Sequence, residues 1–226
     1  MTWLKICGIT NLDDALTAVD AGADAVGFVF FEKSPRKITG EQARRIIDKL
    51  PSNIEKVGVF VLGSDGNIAE IAEQAQLTSV QLHSWGKGTS QLSGPISSGR
   101  KHYLAVSASD FFDHDNADFA VSKNGSNAAE WLHAVFLDSG TALQPGGTGK
   151  VFDWQKAVAT AGRIQRSGLR LVVAGGLTPK NVAEAMRTLE PWGVDVSSGV
   201  EAAPGKKDPE KVRAFIAAVR QADKAI

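Results

Sequence analysis

Short apolar runs alternate with longer amphipathic segments along most of the chain. The runs lie at 3–7, 25–30, 56–61, 79–83, 102–108, 134–139, 169–175 and 193–198. Runs of this length that are rich in valine, isoleucine and aromatic residues are typical of buried strands. The hydrophobic pattern therefore predicts eight strands.

The segment NLDDALTAVDAG, at 11–22, illustrates how the intervening helices are recognised. Asn11 is a suitable N-cap with Asp14 three residues later, and Gly22 follows the last helical residue as a C-terminal glycine. The apolar residues in between keep helical spacing. The same signals predict further helices at 39–50, 65–76, 153–165, 178–190 and 208–225.

Strands that alternate with helices indicate a parallel sheet, and eight such units indicate a closed (β/α)8 TIM barrel. We therefore predict an α/β fold in which residues 1–226 form a single barrel domain, a size that such barrels commonly have. Segment 84–133 is rich in glycine, serine and asparagine, and the fourth and fifth helices are not placed by its pattern. A doubly wound open sheet is the alternative.

Alternate residues of a barrel strand face the helices and the interior, so the apolar rows identify the outward side. The inward rows then carry polar groups. These inward residues are Lys5, Cys7, Gln81, His83, Asp138, Asp195 and Ser197. Each alone fits a structural role, but Cys7, His83, Asp138 and Asp195 all lie near the C-terminal strand ends, where barrel enzymes carry out their chemistry. Their coincidence predicts a functional site.

Glycine-rich loops follow the last two predicted strands. They contain Gly175 and Gly176 after the seventh strand, and Ser198 and Gly199 after the eighth. Loops at these positions bind phosphate in many TIM barrels, because glycine lets backbone N–H groups approach an anion. Tight turns without a ligand are the alternative interpretation.

Two other loops are candidates for ligand contact. The loop FEKSPRKI carries Lys33, Arg36 and Lys37, of which Arg36 is suited to bind a carboxylate in bidentate fashion, although a solvated basic loop is the alternative. Segment 139–154 contains several glycines and is long enough to close over a substrate or to be a mere connection.

Composition and charge narrow the choice of partners. The chain has 25 basic and 25 acidic residues, so no overall field attracts nucleic acid or an anionic membrane. We find no secretory signal pattern and no apolar run near the length of about 18 residues that a membrane span needs. Cys7 is the only cysteine, which excludes an internal disulfide and favours the reducing cytoplasm.

Several segments of the chain together match the motifs of a known family. They are KICGIT, DAVGFVFFEKSPRKIT, VGVFV, VQLH, FLDS followed by GGTGKVFDW, AGGLTPKNV, and VDVSSGVEAAPGKKDPEKV. These segments resemble the phosphoribosylanthranilate isomerase family of tryptophan biosynthesis. They occur in the family's order and cover residues 3–83 and 134–216, whereas the part between them resembles it little.

The resemblance implies an Amadori rearrangement of N-(5-phosphoribosyl)anthranilate that needs no cofactor and no metal. It implies that Cys7 is the general base and Asp138 the general acid. A nearby cation such as Lys5 favours a thiolate, whereas a carboxyl that donates a proton at neutral pH must have its pKa raised, so we expect Asp138 to be buried when substrate is bound. The enzyme is expected to be a monomer or a homodimer.

The resemblance also implies the contacts with the substrate. Arg36 would pair with the anthranilate carboxylate, and Asp195 would contact the amine or the sugar hydroxyls. Gln81 and His83 would line the same mouth without an assigned role. The glycine loops, with the four residues named above, would bind the 5-phosphate.

Three other functions remain as alternatives. A metal-dependent hydrolase is disfavoured because no histidine or cysteine pair has metal-ligand spacing, and we predict no metal site. A non-catalytic phosphosugar-binding protein would bind ligand without turnover. Indole-glycerol-phosphate synthase is a related possibility, but the sequence lacks the strand-end lysine that its ring closure would be expected to use.

Overall fold

A computed structural model describes residues 1–63, 67–83, 96, 99–108, 130–140 and 151–225. Its strands are β1 (Trp3–Cys7), β2 (Ala25–Val29), β3 (Glu55–Val61), β4 (Ser79–His83), β5 (Lys101–Ser107), β6 (Leu132–Asp138), β7 (Arg170–Val173) and β8 (Gly193–Val196). Each strand pairs in parallel with the next, and β8 pairs with β1, which closes the barrel. The predicted (β/α)8 barrel is confirmed, and the open sheet was wrong.

Six helices surround the barrel in the described part of the chain. They are α1 (Leu12–Asp20), α2 (Gly40–Ile47), α3 (Ile68–Gln74), α4 (Trp154–Arg166), α5 (Val182–Leu189) and α6 (Pro209–Ala222). All six correspond to helices that the sequence pattern predicts. The segment in which the remaining two helices were not placed, 84–133, lies mostly outside the described residues.

Side-chain caps explain where several helices begin. The Asn11 side chain accepts a hydrogen bond of 2.9 Å from the backbone N–H of Asp14, as its position in the sequence predicts. Gly22 follows α1 with a φ of 99°, a left-handed conformation that favours glycine. Asp208 caps α6 in the same way as Asn11 caps α1.

The ends of the last two strands differ from the prediction. We expected strands at 169–175 and 193–198, but β7 and β8 end at Val173 and Val196. Gly175 and Gly176 adopt φ angles of 77° and 66°, which no regular strand contains.

After β8 the chain makes a short turn of 3-10 helix over Ser198–Val200. An antiparallel hairpin of β9 (Glu201–Ala203) and β10 (Lys206–Lys207) follows it, and the sequence pattern did not predict this hairpin.

The apolar core has two layers, and the strand parity assigns residues to them correctly. Leu4, Val80 and Leu137 belong to the layer between barrel and helices. Tyr103 and Phe136 fill the barrel interior. Among the described helices, none is long and apolar enough to span a membrane.

Candidate active site

A pocket opens at the C-terminal ends of the strands, and all six predicted catalytic and substrate-binding residues line it. They are Cys7, Arg36, Gln81, His83, Asp138 and Asp195. The wall also includes Val29, Phe31, Ser34, Val59, Val61 and Ser197. Their roles are not tested by their positions, but the predicted convergence of these side chains on one pocket is confirmed.

Strand register places a buried ammonium group under this pocket. Lys5 on β1 is the register partner of Asp195 on β8, so both side chains enter the barrel at one level. The Lys5 Nζ atom lies 3.1 Å from Asp195 Oδ1 and donates a hydrogen bond of 2.8 Å to Gln81 Oε1. Burial lowers the pKa of Lys5, but Asp195 and Cys7 outweigh this effect and raise it. Lys5 is therefore a charged group that is fully buried.

Cys7 is the last residue of β1, and its thiol is buried in the pocket wall. A β-carbon on Gly27 would lie 2.8 Å from Cys7 Sγ, so only glycine leaves room for the thiol beside this part of β2. Burial raises the pKa of Cys7, and the opposing effect of Lys5 is smaller. Lys5 lowers the pKa of the thiol, as expected of a nearby cation, but burial has the larger effect.

Asp138 ends β6 and is buried even without substrate, with 7% of its surface exposed. Its Oδ1 atom accepts a hydrogen bond of 2.8 Å from the backbone N–H of Gly140. Burial raises the pKa of Asp138 to about 6, because desolvation exceeds the effect of the backbone N–H groups. A carboxyl with this pKa is able to carry a proton near neutral pH, as a general acid must.

Burial shifts the pKa values of His83 and Asp195, two other titratable residues of the pocket, in opposite directions. Burial, reinforced by the charge of Lys5, lowers the pKa of His83 to about 3, so its imidazole is neutral. The His83 Nε2 atom lies 3.1 Å from the amide nitrogen of Gln81. Burial raises the pKa of Asp195, and the ion pair with Lys5 opposes this effect.

Arg36 lies in the loop after β2, but it is not a solvated side chain, since only 8% of its surface is exposed. A β-carbon on Gly8 would lie 2.6 Å from Arg36 Cδ, so the glycine after Cys7 provides space for the arginine stem. The guanidinium donates two hydrogen bonds of 2.7 Å to the carboxylate of Glu201. Lys33 and Lys37 of the same loop are exposed, as the alternative interpretation expected of them.

The two glycine loops contact each other beside the pocket. A β-carbon on Gly199 would lie 1.8 Å from the carbonyl oxygen of Leu177, and one on Gly175 would lie 2.4 Å from the backbone nitrogen of Ser139. Gly175, Gly176, Ser198 and Gly199 do not line the wall around Cys7, although Ser197, which precedes Ser198, does. Close packing thus accounts for two of these glycines whether or not phosphate binds there.

Glu201 and Lys207 were missed by sequence reasoning, although both are buried next to the site. The sequence shows a glutamate and two lysines in the segment after β8, which could have indicated a buried ion pair. They were not recognised because charged residues in loops are usually solvated. The residues 141–150 of the predicted mobile loop lie outside the described part of the chain. Within that part, no three histidine, cysteine, aspartate or glutamate side chains form a group suited to hold a metal ion.

Comparison with known proteins yields one consistent family. The family model for N-(5'-phosphoribosyl)anthranilate (PRA) isomerase matches residues 4–218. The chain is 45% identical to the N-(5'-phosphoribosyl)anthranilate isomerase of Citrifermentans bemidjiense, over 98% of each chain.

Solved structures agree with this result. One is a phosphoribosyl anthranilate isomerase in complex with reduced 1-(o-carboxyphenylamino)-1-deoxyribulose 5-phosphate, at a TM-score of 0.75 and 37% identity, covering 98% of this chain and 100% of that one. Another contains monomers generated from the dimeric enzyme of Thermotoga maritima, at a TM-score of 0.76 and 38% identity with the same coverage.

Proposed function

This chain belongs to the N-(5'-phosphoribosyl)anthranilate isomerase family, and from that premise we propose which residues carry out the reaction. The enzyme converts N-(5'-phosphoribosyl)anthranilate to 1-(2-carboxyphenylamino)-1-deoxyribulose 5-phosphate, a step of tryptophan biosynthesis. In this Amadori rearrangement, a proton on the ring oxygen and the nitrogen lone pair open the furanose to an iminium ion. Removal of the C2 proton then gives an enolamine, which tautomerises to the ketone.

Asp138 is the proposed general acid that protonates the furanose oxygen. The observation that carries the whole assignment is that a carboxyl whose pKa is raised to about 6 lines the same small pocket as the only cysteine of the chain. A protonated carboxyl in this position is able to donate to the leaving oxygen while the C1–O bond breaks.

Cys7 is the proposed general base that removes the proton from C2. Its thiol must ionise first, and burial opposes ionisation in the absence of substrate. The iminium ion formed by ring opening carries a positive charge one bond from C2, which both acidifies the C2 proton and stabilises a nearby thiolate. Ring opening thus prepares both partners of the second proton transfer.

The remaining pocket residues are proposed to bind the substrate. Arg36 takes the anthranilate carboxylate, and Asp195 contacts the amine or the sugar hydroxyls. Gln81 and His83 complete the wall, and the neutral imidazole of His83 adds no charge to it.

The phosphate is proposed to bind at the contacting glycine loops, through Gly175, Gly176, Ser198 and Gly199. The left-handed conformations of Gly175 and Gly176 and the contact between the loops support this placement.

We further propose that the enzyme acts without a cofactor, as a single barrel domain in the cytoplasm. A single cysteine with no disulfide partner fits a reducing compartment. A monomer and a homodimer are both compatible with the family, since the relative from Thermotoga maritima is described as dimeric. Sedimentation of the purified protein distinguishes these two states.

The experiment is a fluorescence assay of freshly generated substrate, with the wild type beside Cys7→Ser and Asp138→Asn. Each substitution should lower turnover by about 10²-fold or more, because general acid and base groups commonly contribute 10²–10⁴-fold. Glu55→Gln is the control, since Glu55 is a buried carboxylate at the opposite end of the barrel, where β3 begins, and it accepts hydrogen bonds from Ser79 and Tyr103. Near-normal turnover in both site variants would refute the assignment.

A further inference from the structure

The Glu201 carboxylate is paired with Arg36 next to the pocket. Glu201 Oε1 and Oε2 accept hydrogen bonds of 2.7 Å from Arg36 Nε and Nη2. The side chain of Glu201 is 5% exposed and that of Arg36 is 10% exposed, so the pair is shielded from water. Arg36 lines the pocket, whereas Glu201 does not.

The geometry of this pair decides which edge of the guanidinium remains available. A guanidinium presents its N–H groups in a planar fork with two edges that fit a carboxylate, one at Nε and Nη2 and one at Nη1 and Nη2. Glu201 occupies the first edge. No residue in the described ranges accepts a hydrogen bond from Arg36 Nη1, so the second edge is open to a ligand there.

Glu201 is itself fixed by the hairpin that follows β8. Its Oε1 atom also accepts from Lys207 Nζ at 3.0 Å and from the backbone N–H of Gly205 at 3.3 Å. The backbone N–H of Lys207 in turn donates to Asp14 Oδ2 at 2.7 Å, which anchors the hairpin to α1. The Glu201 carboxylate is therefore not free to follow the arginine if it moves.

The environment of Glu201 favours its ionised form. Burial alone would raise the pKa of Glu201, but hydrogen bonds from Arg36 and Lys207 outweigh burial and lower it. Two cations and one anion share this cluster, so Arg36 is not fully neutralised and keeps attraction for a second carboxylate.

We propose that Glu201 is a positioning residue, which holds Arg36 by its Nε edge so that the Nη1 and Nη2 edge meets the carboxylate on the aromatic ring of the substrate. This inference rests on the proposed function, in which Arg36 takes that carboxylate. An arginine fixed in advance loses less side-chain entropy on binding, and its fork has a single orientation. Glu201 therefore acts on recognition of the carboxylate and does not touch the reacting atoms.

The test compares two inhibitors that differ only in the ring carboxylate. One is reduced 1-(o-carboxyphenylamino)-1-deoxyribulose 5-phosphate, and the other is its phenylamino analogue without the carboxyl group. The wild type should bind the carboxylated compound at least about tenfold more tightly, the size expected for hydrogen bonds to a charged group. Glu201→Gln should lose most of this preference, with KM raised more than kcat is lowered.

Glu55→Gln is the matched control, because Glu55 and Glu201 are each 9% exposed and each accepts hydrogen bonds inside the protein. It should keep the full carboxylate preference, even if the protein becomes less stable. Glu201→Asp retains the negative charge between Arg36 and Lys207, which protects the fold, and its shorter side chain should reduce the preference only in part.

Several outcomes would overturn the proposal. One is an unchanged preference for the carboxylated inhibitor in Glu201→Gln or in Glu201→Asp. Another is a loss of this preference in Glu55→Gln that equals the loss in Glu201→Gln. A third is tighter binding of the carboxylated inhibitor by Glu201→Gln, which would mean that Glu201 competes with the ligand for Arg36. Failure of the proposed carboxylate site gives a different result, since the wild type itself would then show no preference for the carboxylated inhibitor.

Discussion

The pH dependence of kcat/KM, measured for the wild type and for Asp138→Asn, tests the proposed acid and base together. In the proposed mechanism, the free enzyme that reacts has a protonated Asp138 and an ionised Cys7, and the iminium ion then stabilises the thiolate that is already present. Burial raises the pKa of Asp138 to about 6 and also raises the pKa of Cys7 above its ordinary value. The acid therefore loses its proton at a lower pH than the base does, so only a small fraction of the enzyme is in the reactive form.

The size of that fraction follows from the two pKa values. At pH 7 about a tenth of the Asp138 carboxyls are protonated, because their pKa is about 6. Burial raises the pKa of the Cys7 thiol, so most of the thiol carries its proton at this pH. The fraction of enzyme with both groups in the reactive form is therefore well below about a tenth.

The shape of the profile follows from the same fractions. Below about pH 6 the rate rises tenfold per unit, because only the thiolate population changes. Between the two pKa values, loss of the protonated carboxyl offsets the gain of thiolate, which gives a plateau. Above the thiol pKa the rate falls.

Asp138→Asn removes one of these two ionisations. The variant should retain roughly 10⁻²–10⁻⁴ of the wild-type rate. Its residual rate should keep rising tenfold per unit through pH 6, because nothing then offsets the gain of thiolate below the thiol pKa. In this scheme the change of slope near pH 6 comes from ionisation of Asp138, so the slope should not change near pH 6 in Asp138→Asn.

The assay is the initial rate of fluorescence change at low substrate, from about pH 5 to about pH 9, with circular dichroism at each end to verify folding. Glu55→Gln should reproduce the wild-type profile. A break near pH 6 that persists in Asp138→Asn would assign it to another group and refute the argument.

A stability measurement on Asp138→Asn and two glycine substitutions also have expected outcomes. Asp138→Asn should raise the thermal midpoint of unfolding at pH 7 but not near pH 4. The pKa of Asp138 in the folded protein, about 6, lies above its value in the unfolded chain, so the wild type loses stability as the pH rises from the unfolded to the folded pKa. Asparagine does not ionise and avoids this loss. Gly27→Ala puts a methyl 2.8 Å from Cys7 Sγ and should lower turnover about tenfold or more, measured beside the melting curve. Gly199→Ala collides with the Leu177 carbonyl at 1.8 Å and should weaken inhibition by inorganic phosphate; unchanged inhibition would contradict the phosphate site.

The barrel and most of the pocket wall were predictable because a closed parallel sheet repeats one simple rule. Gln81 and His83 are two residues apart on β4, so strand parity alone places both inside. Cys7 and Asp138 end their strands, and parallel strands end at the same rim of a barrel. For these residues, the position within a strand is enough to predict the position in the barrel.

The pairing of Arg36 with Glu201 was not predictable by the same reasoning. The two residues are 165 positions apart and both lie in loops or at the edge of a hairpin, where no periodicity fixes the side-chain direction. Nor does sequence give the net pKa of Cys7, because Lys5 and burial act in opposite directions and only the depth of the site decides which is larger.

The structure also distinguishes the two aspartates of the pocket as candidates for the acid. Asp195 lies 3.1 Å from the ammonium of Lys5, so protonation of Asp195 would leave a fully buried cation without its ion-pair partner. Asp138 instead accepts hydrogen bonds from the backbone N–H groups of Gly140 and Ser139, and a backbone N–H tolerates a neutral carboxyl. Protonation therefore costs less at Asp138, whose carboxylate is not the ion-pair partner of Lys5, and this difference supports Asp138 as the proposed acid.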